Sequence, residues 1–481
     1  MANPEEPSRK KLIINAAVLM SPSGFSPGLW RNPADQSSRF DDLKFWVKLA
    51  QTLEAAKFHG IFIADALGGY EIYKGPHNLD PCILTGSQFP NIEPLSVISA
   101  MAAVTESLGF SVTVATTFEH PYHLARRLST VDHLTQGRLG WNIVTGYLDS
   151  AARNFGLTKQ VEHDQRYVIA EEYMQVMYKL LESSWRDDAV RNSPQSGIFT
   201  DPSCVREINH VGEHFNVPGP HICHPSPQRT PLLLQAGASK VGKAFAAQHA
   251  EVIFVSGPSP GAVASNIAET RQLAQEKFGR DPAHLKCVAL VCPVLGRTEE
   301  EAQEKHREYV KQGSVDGALA LFGGWTGIDL SKYGEDEELR EVESNAIKSI
   351  TEAWSKSFPG VKKWTKTALA HQIIVGGLCP TIIGTAEQVA DELERWVELA
   401  NLDGFNFSAA INPESFIDIA EMLLPELRRR GLFWDDYAVK GGTLRENSYA
   451  IPGQKGLPAD HPGAQYHWKA GVEAADAPVS N

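Results

Sequence analysis

The strongest regularity of this chain is an alternation of short apolar, β-rich runs with amphipathic helical stretches. The apolar runs lack the polar alternation of a half-exposed strand, which is typical of strands buried on both faces of a parallel sheet. We predict eight strands, at residues 12–20, 60–65, 110–118, 138–145, 231–238, 252–256, 287–295 and 404–409. Because eight strands close a barrel, the sequence predicts an α/β fold of the (β/α)8 TIM-barrel type. A doubly wound open sheet is the alternative that strand counting leaves open.

Helical periodicity of the apolar residues predicts helices between these strands. The predicted helices span residues 43–53, 94–108, 123–134, 239–249, 261–278, 385–400 and 415–430. A further long helix is expected to begin at Asp164, whose carboxylate can accept the free backbone N–H groups of a first helical turn.

Three segments do not fit the repeating unit, and we expect them to be insertions after strands 2, 4 and 7, within a single domain of residues 1–481. They span about 66–93, 186–230 and 313–380, and the second contains a possible hairpin at His210–Val217. Loops of this length are usually functional, and barrel enzymes build their sites at this end of the strands. The polar, Pro- and Gly-rich tail of residues 431–481 is expected to wrap the surface or a neighbouring subunit.

Composition excludes several classes of partner. The formal charge of −13, from 45 Lys and Arg against 58 Asp and Glu, argues against nucleic acid or an anionic membrane surface. No apolar run reaches 18 residues and no secretory leader precedes the first strand, so we expect a cytoplasmic protein. The six scattered cysteines are typical of reduced thiols. We expect no metal site, because His120/His123 and His221/Cys223/His224 lack a second ligand set at zinc-like spacing.

A turn of small residues follows the fifth predicted strand, where residues 237–242 read Gly-Ala-Ser-Lys-Val-Gly. Such a turn lets a ligand approach the backbone, and the N–H groups that begin the next helix favour an anion. Ser239 could cap that helix and donate its hydroxyl to a phosphate; an ordinary capped turn is the alternative. The G-x-S-x-x-G spacing differs from the nucleophile elbow G-x-S-x-G, which disfavours a serine hydrolase.

Further polar residues stand where the barrel mouth is predicted. His163 and Tyr167 are four residues apart across a helix start, so both can point toward one spot. Asp65 ends the second strand, while Thr113 and Asn142 lie inside the third and fourth strands, where a polar group needs a partner. That partner is either a bound polar ring or neighbouring protein. No G-x-G-x-x-G or Walker A sequence is present, so any redox cofactor would have to bind at the barrel mouth.

Five long blocks resemble the bacterial-luciferase-like flavin monooxygenases, in the branch of the nitrilotriacetate and EDTA monooxygenase large components and dibenzothiophene-sulfone monooxygenase. The blocks are Leu108–Tyr122, Leu124–Thr145, Ala152–Gly156, Glu162–Tyr167 and Ser226–Gly242. The similarity runs in order from Ser26–Arg31 to Gly442–Glu446, over nearly the whole chain.

The resemblance implies a two-component monooxygenase that binds FMN as FMNH2, supplied by a separate NAD(P)H:flavin reductase. With O2 as co-substrate, a C4a-peroxyflavin would transfer one oxygen atom to a small organic substrate that contains nitrogen, sulfur or an aromatic ring. A homo-oligomer is also implied, and the 313–380 insertion would be the lid. The alternatives are a deazaflavin-dependent hydride-transfer enzyme on the same barrel and a non-catalytic flavin-binding protein.

Seven flavin-binding positions carry over from the family motifs: Asp65, Thr113, Asn142, His163, Tyr167, Ala238 and Ser239. By physical role, Ser239, the Ala238 N–H and Tyr167 would hold the phosphate, and Asp65, Thr113 and Asn142 would face the ribityl chain or the ring edge. Gly146 departs from the family, because many relatives have serine there. The loop 66–93 carries Tyr70, Tyr73, Lys74, His77 and Phe89, which favours an aromatic or heterocyclic substrate over a polycarboxylate. No catalytic acid or base is assigned.

Overall fold

Eight parallel strands form a closed barrel in the computed structural model, which describes residues 9–237, 239–339 and 361–470. The strands are β1 (Ile13–Leu19), β2 (Gly60–Ala64), β3 (Gly109–Ala115), β4 (Leu139–Val144), β5 (Leu232–Ala236), β6 (Val252–Val255), β7 (Lys286–Leu295) and β8 (Gly404–Ser408). Each strand pairs with the next, and β8 pairs with β1. The predicted (β/α)8 barrel is confirmed, and the open sheet is excluded.

Eight helical segments pack around the barrel: α1 (Leu43–Ala55), α2 (Leu95–Ala102), α3 (Pro121–Leu134), α4 (His163–Tyr178), α5 (Lys240–His249), α6 (Pro260–Phe278), α7 (Ala386–Ala400) and α8 (Glu414–Asp418). A π-helical turn, Ile419–Leu423, and a short helix, Leu424–Arg429, continue α8. Shorter or inserted helices are Asp80–Thr85, Asp149–Asn154, Glu299–Gln312, Val315–Thr326, Lys366–Ile373 and Leu444–Tyr449.

Two helix boundaries differ from the prediction for identifiable reasons. Helix α2 ends at Ala102 rather than 108, because a carboxylate oxygen of Glu54 accepts the N–H groups of the next turn, including those of Ser107 at 2.7 Å and Leu108 at 3.0 Å. Helix α4 is capped by Glu162, whose side chain accepts from the N–H groups of Asp164 and Gln165. The prediction that Asp164 caps this helix was wrong by two residues.

The described part of the tail closes the barrel from below, a role that the sequence pattern did not predict. Leu444 is buried beneath the strands, in contact with an apolar layer formed by Ile13, Leu232, Leu234, Val252 and Val288. The next residue, Arg445, pairs with Glu251, and both side chains are fully buried. Residues 471–481 lie outside the described chain.

All three insertions are present after strands 2, 4 and 7. The 186–230 insertion forms two small antiparallel hairpins, Val190–Ser193 with Ile198–Thr200 and His210–Val211 with Asn216–Val217, so the predicted hairpin is confirmed. The described parts of the 313–380 insertion contain two helices, and Thr381–Gly384 pairs with the end of β7. Residues 340–360, part of the expected lid, lie outside the described chain. Within the described chain no helix has the length and apolar character to cross a membrane.

Candidate active site

A cavity of about 360 Å³ opens at the carboxyl ends of β2, β3, β4 and β5. This is the end of a TIM barrel at which active sites form. Four of the residues predicted for the site line this cavity together: Asp65, Thr113, His163 and Tyr167. The fold therefore brings together polar side chains that are up to about a hundred residues apart in sequence.

Thr113 and Asn142 face each other across the β3–β4 pair. Asn142 Nδ2 donates to Thr113 Oγ1 over 2.9 Å, and both residues are buried. Asn142 Oδ1 has no hydrogen-bond partner in the described part of the protein. A buried amide oxygen without a partner is costly, so this atom is a free acceptor beside the cavity.

Asp65 follows β2 directly and is partly buried at the cavity wall. Burial, and to a smaller extent the neighbouring carboxylate of Glu93, raise the pKa of Asp65 to about 6. The backbone N–H of Ala66, which donates to Asp65 Oδ1 over 2.9 Å, opposes this rise. A carboxyl group with such a pKa can hold or release a proton near neutral pH.

Sequence reasoning missed a group of ion-paired side chains on the same wall, formed by Glu93, Glu119 and Arg127. Arg127 Nη2 lies 2.9 Å from Glu93 Oε1, and its Nη1 contacts Glu119. Glu93 also accepts the first N–H groups of α2, from Leu95 and Ser96. The guanidinium of Arg127 is therefore held between two carboxylates, which leaves an excess of negative charge on this wall.

The start of α4 supplies another part of the cavity wall. The rings of His163 and Tyr167 meet edge to face with their centroids 5.4 Å apart, and both line the cavity as predicted. His163 Nδ1 is 2.7 Å from an oxygen of Asp164. The Tyr167 hydroxyl lies beside the side chain of Ser239, and burial raises the pKa of this tyrosine.

Ser239 caps α5, since its Oγ accepts the N–H of Gly242 over 3.0 Å. It joins the site through Tyr167 rather than by lining the cavity itself. A Cβ atom at Gly242 would stand 2.8 Å from the Tyr167 hydroxyl, so glycine is required for this approach. Ala238, the remaining predicted residue, lies outside the described residues.

Arg166 is a further cavity residue that the sequence analysis missed. It lies inside the Glu162–Tyr167 block that carries the family resemblance. It is 9% exposed, and its Nη1 donates to the carbonyl oxygen of Val161 over 2.8 Å. Its Nε has no partner among the described residues, and burial lowers the pKa of the guanidinium. A buried cation with a free donor next to a helix N-terminus is suited to an anionic ligand.

The aromatic residues of the 66–93 insertion do not line the cavity, contrary to the sequence-based reasoning on substrate. Tyr73 donates to Asp316 over 3.1 Å, and Tyr70 accepts a hydrogen bond from Trp325 Nε1 over 2.9 Å. This insertion therefore packs on the 313–339 segment. Tyr147, a cavity residue whose hydroxyl is 3.1 Å from that of Tyr70, connects these aromatic side chains to the site.

The sequence and the fold of this chain are similar to those of known monooxygenases and of a riboflavin lyase. Dimethyl-sulfide monooxygenase of Hyphomicrobium sulfonivorans is 44% identical, over 95% of this chain and 94% of its own. The crystal structure of a long-chain alkane monooxygenase is 42% identical, with a TM-score of 0.86 over 95% of this chain and all of the other. A riboflavin lyase, solved with modified FMN and riboflavin, is 34% identical, with a TM-score of 0.85 over the same shares.

The family match itself covers most of the barrel, since residues 25–401 match the luciferase-like monooxygenases. That span contains every cavity residue described above. The chain belongs to the luciferase-like monooxygenase family.

Proposed function

We propose that this protein is the oxygenase of a two-component system that uses FMNH2 and O2 to oxidise a small organic substrate containing nitrogen, sulfur or an aromatic ring. One oxygen atom enters the substrate and the other leaves as water. The oxidation of FMNH2 to FMN supplies the two electrons and two protons that this water requires. The observation that carries the proposal is the convergence of Arg166, Tyr167 and His163 on one cavity, with the hydroxyl of Ser239 beside that of Tyr167.

These four residues are suited to the phosphate of FMN. Arg166 contributes a positive charge and an unpartnered donor, and the two hydroxyl groups can donate further hydrogen bonds. The N-terminal turns of α4 and α5 add backbone dipoles that favour an anion. Charge-assisted hydrogen bonds of this kind are the strong ones, so the phosphate is expected to anchor the cofactor here.

The polar edge of the flavin ring would meet the other end of the cavity. Asn142 presents an oxygen without a partner, and a ring N–H is a donor that could satisfy it. Thr113 holds the amide of Asn142 in place. Asp65, with its raised pKa, can accept a hydrogen bond when ionised and donate one when protonated.

When bound, the reduced flavin supplies the electrons and activates O2. The work of this chain is to bind and orient the flavin and the substrate, and to keep water from the site. Asp65 is the group placed to hold a proton at the cavity wall, because its carboxyl is poised between its two states near pH 6. Thr113 and Asn142 fix hydrogen-bonding positions that do not depend on pH.

We propose a separate reductase on the family resemblance, and the lack of a dinucleotide-binding motif for NAD(P)H in the sequence agrees with it. We also propose a reducing, cytoplasmic location, supported by six free cysteines, five of them buried. A homo-oligomer is proposed on the family resemblance.

The test is an assay with purified protein, FMN, a generic flavin reductase, NADH and 18O2. We expect FMN to bind, and a substrate screen to yield a product heavier by one 18O atom. A deazaflavin in place of FMN is the control and should support no oxygen transfer. Absence of FMN binding, or tighter binding of the deazaflavin under anaerobic conditions, would contradict the proposal.

A further inference from the structure

The apolar part of the cavity is built around a stacked pair of phenylalanine rings. Phe118, which lines the cavity, and Phe155 lie parallel, with their centroids 4.6 Å apart and 11° between their planes. Phe155 is 52% exposed, and the neighbouring cavity residues Leu67 and Tyr147 are 41% and 50% exposed. Large apolar side chains left exposed around a cavity mark a surface that a ligand covers.

Gly146 allows Phe118 to take this position. A Cβ atom at residue 146 would stand 3.5 Å from Gln160 Nε2, an ordinary contact, but 3.3 Å from Phe118 Cε2, which is tighter than most contacts, so a side chain there would press on the Phe118 ring. Gly146 also has φ +65°, a conformation that glycine adopts without strain. Glycine in place of serine at residue 146 therefore leaves room for the Phe118 ring in the cavity wall.

The charges near this wall disfavour an anionic substrate. Asp65, Glu93 and Glu119 line the cavity, and Arg127, the cation among them, is already engaged by both glutamates. Arg166, which also lines the cavity, is assigned to the flavin phosphate. A substrate with several carboxylates would therefore meet like charges with no free cation beside them among the described residues, which is unfavourable in a partly buried site.

We propose that Gly146 and the Phe118–Phe155 pair form the substrate-selecting wall, and that this wall accepts a neutral aromatic heterocycle and rejects carboxylates. The inference rests on the proposed function, because it assigns Arg166 and Tyr167 to the flavin. A flat neutral ring can stack on or against Phe118 and cover the exposed apolar side chains.

The test measures binding without turnover. Protein loaded with oxidised FMN is dialysed at pH 8 against quinoline, quinoline-3-carboxylate or nitrilotriacetate. Quinoline is expected to bind saturably, and each carboxylate at least about 30-fold more weakly, since like-charge repulsion in such a site is worth about 2 kcal/mol. Equal or tighter binding of quinoline-3-carboxylate or nitrilotriacetate would overturn the inference, as would absence of quinoline binding to the FMN-loaded protein.

Two variants connect the selectivity to the wall. Phe118→Leu and Gly146→Ser should each weaken quinoline binding by about tenfold, through lost ring contacts or a displaced ring, and leave FMN affinity unchanged. Gly156→Ala is the matched control, since Gly156 has φ +85° but no atom within 4 Å of an added Cβ. Unchanged quinoline binding in Phe118→Leu would refute the assignment even if Gly146→Ser does not fold. Failure of the wild type to bind FMN would contradict the proposed function instead.

Discussion

The hydroxyl of Tyr167, on α4, and Oγ of Ser239, which caps α5, both lie beside Gly242, where an added Cβ would stand 2.8 Å from the first oxygen and 2.9 Å from the second. The two residues are 72 positions apart and lie on consecutive barrel helices, so two helix N-termini meet beside one cavity. Both hydroxyl groups remain able to donate to an anion placed between the helices.

Removing either hydroxyl should weaken FMN binding. For Tyr167→Phe and for Ser239→Ala we expect a loss of about 1–3 kcal/mol each, because a charged phosphate loses one buried hydrogen bond. Titration of the protein with FMN, followed by flavin fluorescence, measures this. Because the two hydroxyl groups are neighbours and would contact the same phosphate, the losses in the double variant should not add. If both single variants bind FMN as the wild type does, the phosphate lies elsewhere.

Asp65 should make folding less favourable as pH rises. Its folded pKa of about 6 exceeds the ordinary value of 3.8. The contribution of Asp65 to the free energy of unfolding is therefore fully present below pH 3.8, and it is lost as pH rises through 6. We expect Asp65→Asn to unfold at a higher urea concentration than the wild type at pH 8, by about 1–3 kcal/mol in the free energy of unfolding, with little difference near pH 4. A variant that is equally stable or less stable at pH 8 would show that the carboxyl is not strained by burial.

The Arg445–Glu251 pair should be essential for stability. Arg445 Nε lies 2.7 Å from Glu251 Oε1, and both side chains are fully buried under the barrel. Arg445→Met leaves Glu251 charged and unpaired, which we expect to cost about 3–5 kcal/mol in urea unfolding. The exposed Arg307–Glu304 pair offers a control, since Arg307→Ala should change stability by less than about 1 kcal/mol. Similar effects of the two substitutions would mean that the tail does not close the barrel in this way.

Acid should destabilise the protein through its buried neutral histidines. Burial lowers the pKa of His59 to about 3, and that of His221 to about 4, from 6.5. Because each folded pKa is below 6.5, the contribution of each histidine to the free energy of unfolding is complete above pH 6.5. As pH falls below 6.5, that free energy decreases by about 1.4 kcal/mol per pH unit for each histidine.

His59 provides the specific check. Its Nδ1 accepts the N–H of Ile14 over 3.2 Å, and its ring stacks on Trp434 with centroids 3.6 Å apart. His59→Gln keeps an acceptor but cannot be protonated, so between pH 6.5 and 4.5 its stability should fall less steeply than that of the wild type. Urea unfolding at several pH values compares the two slopes, and parallel slopes would contradict the assignment.

Much of the fold is visible in the sequence because buried parallel strands are local patterns. The predicted strand at 60–65 differs from β2 by one residue, and the capped turn at Ser239 is found as predicted. Boundaries fail where distant side chains intervene. Helix α2 stops early because Glu54, on another helix, takes its next N–H groups. The predicted third strand overran by three residues because its pattern continues through Phe118 into the cavity wall.

Part of the site was also predictable, because several of its residues are placed by strands and helices that the sequence pattern reveals. Asp65, Thr113, His163 and Tyr167 stand in or directly after a barrel strand, or at a helix start, and the barrel brings such positions together. The charged wall was not predictable, since Glu93 and Arg127 are 34 residues apart and no local pattern in the sequence pairs them. Leu444 could not be placed either, because a polar tail gives no local sign that one of its residues fills the barrel floor.

The most direct measurement compares anaerobic binding of FMN and riboflavin, which differ by the phosphate, in the wild type, Arg166→Ala and Arg166→Lys. If the cavity holds the phosphate, the wild type binds FMN at least about tenfold more tightly than riboflavin, since a charge-assisted hydrogen bond contributes about 1.5–3 kcal/mol. That preference should fall in Arg166→Ala and be partly retained in Arg166→Lys. Equal affinity of the wild type for the two flavins, or a preference unchanged in Arg166→Ala, would contradict the account.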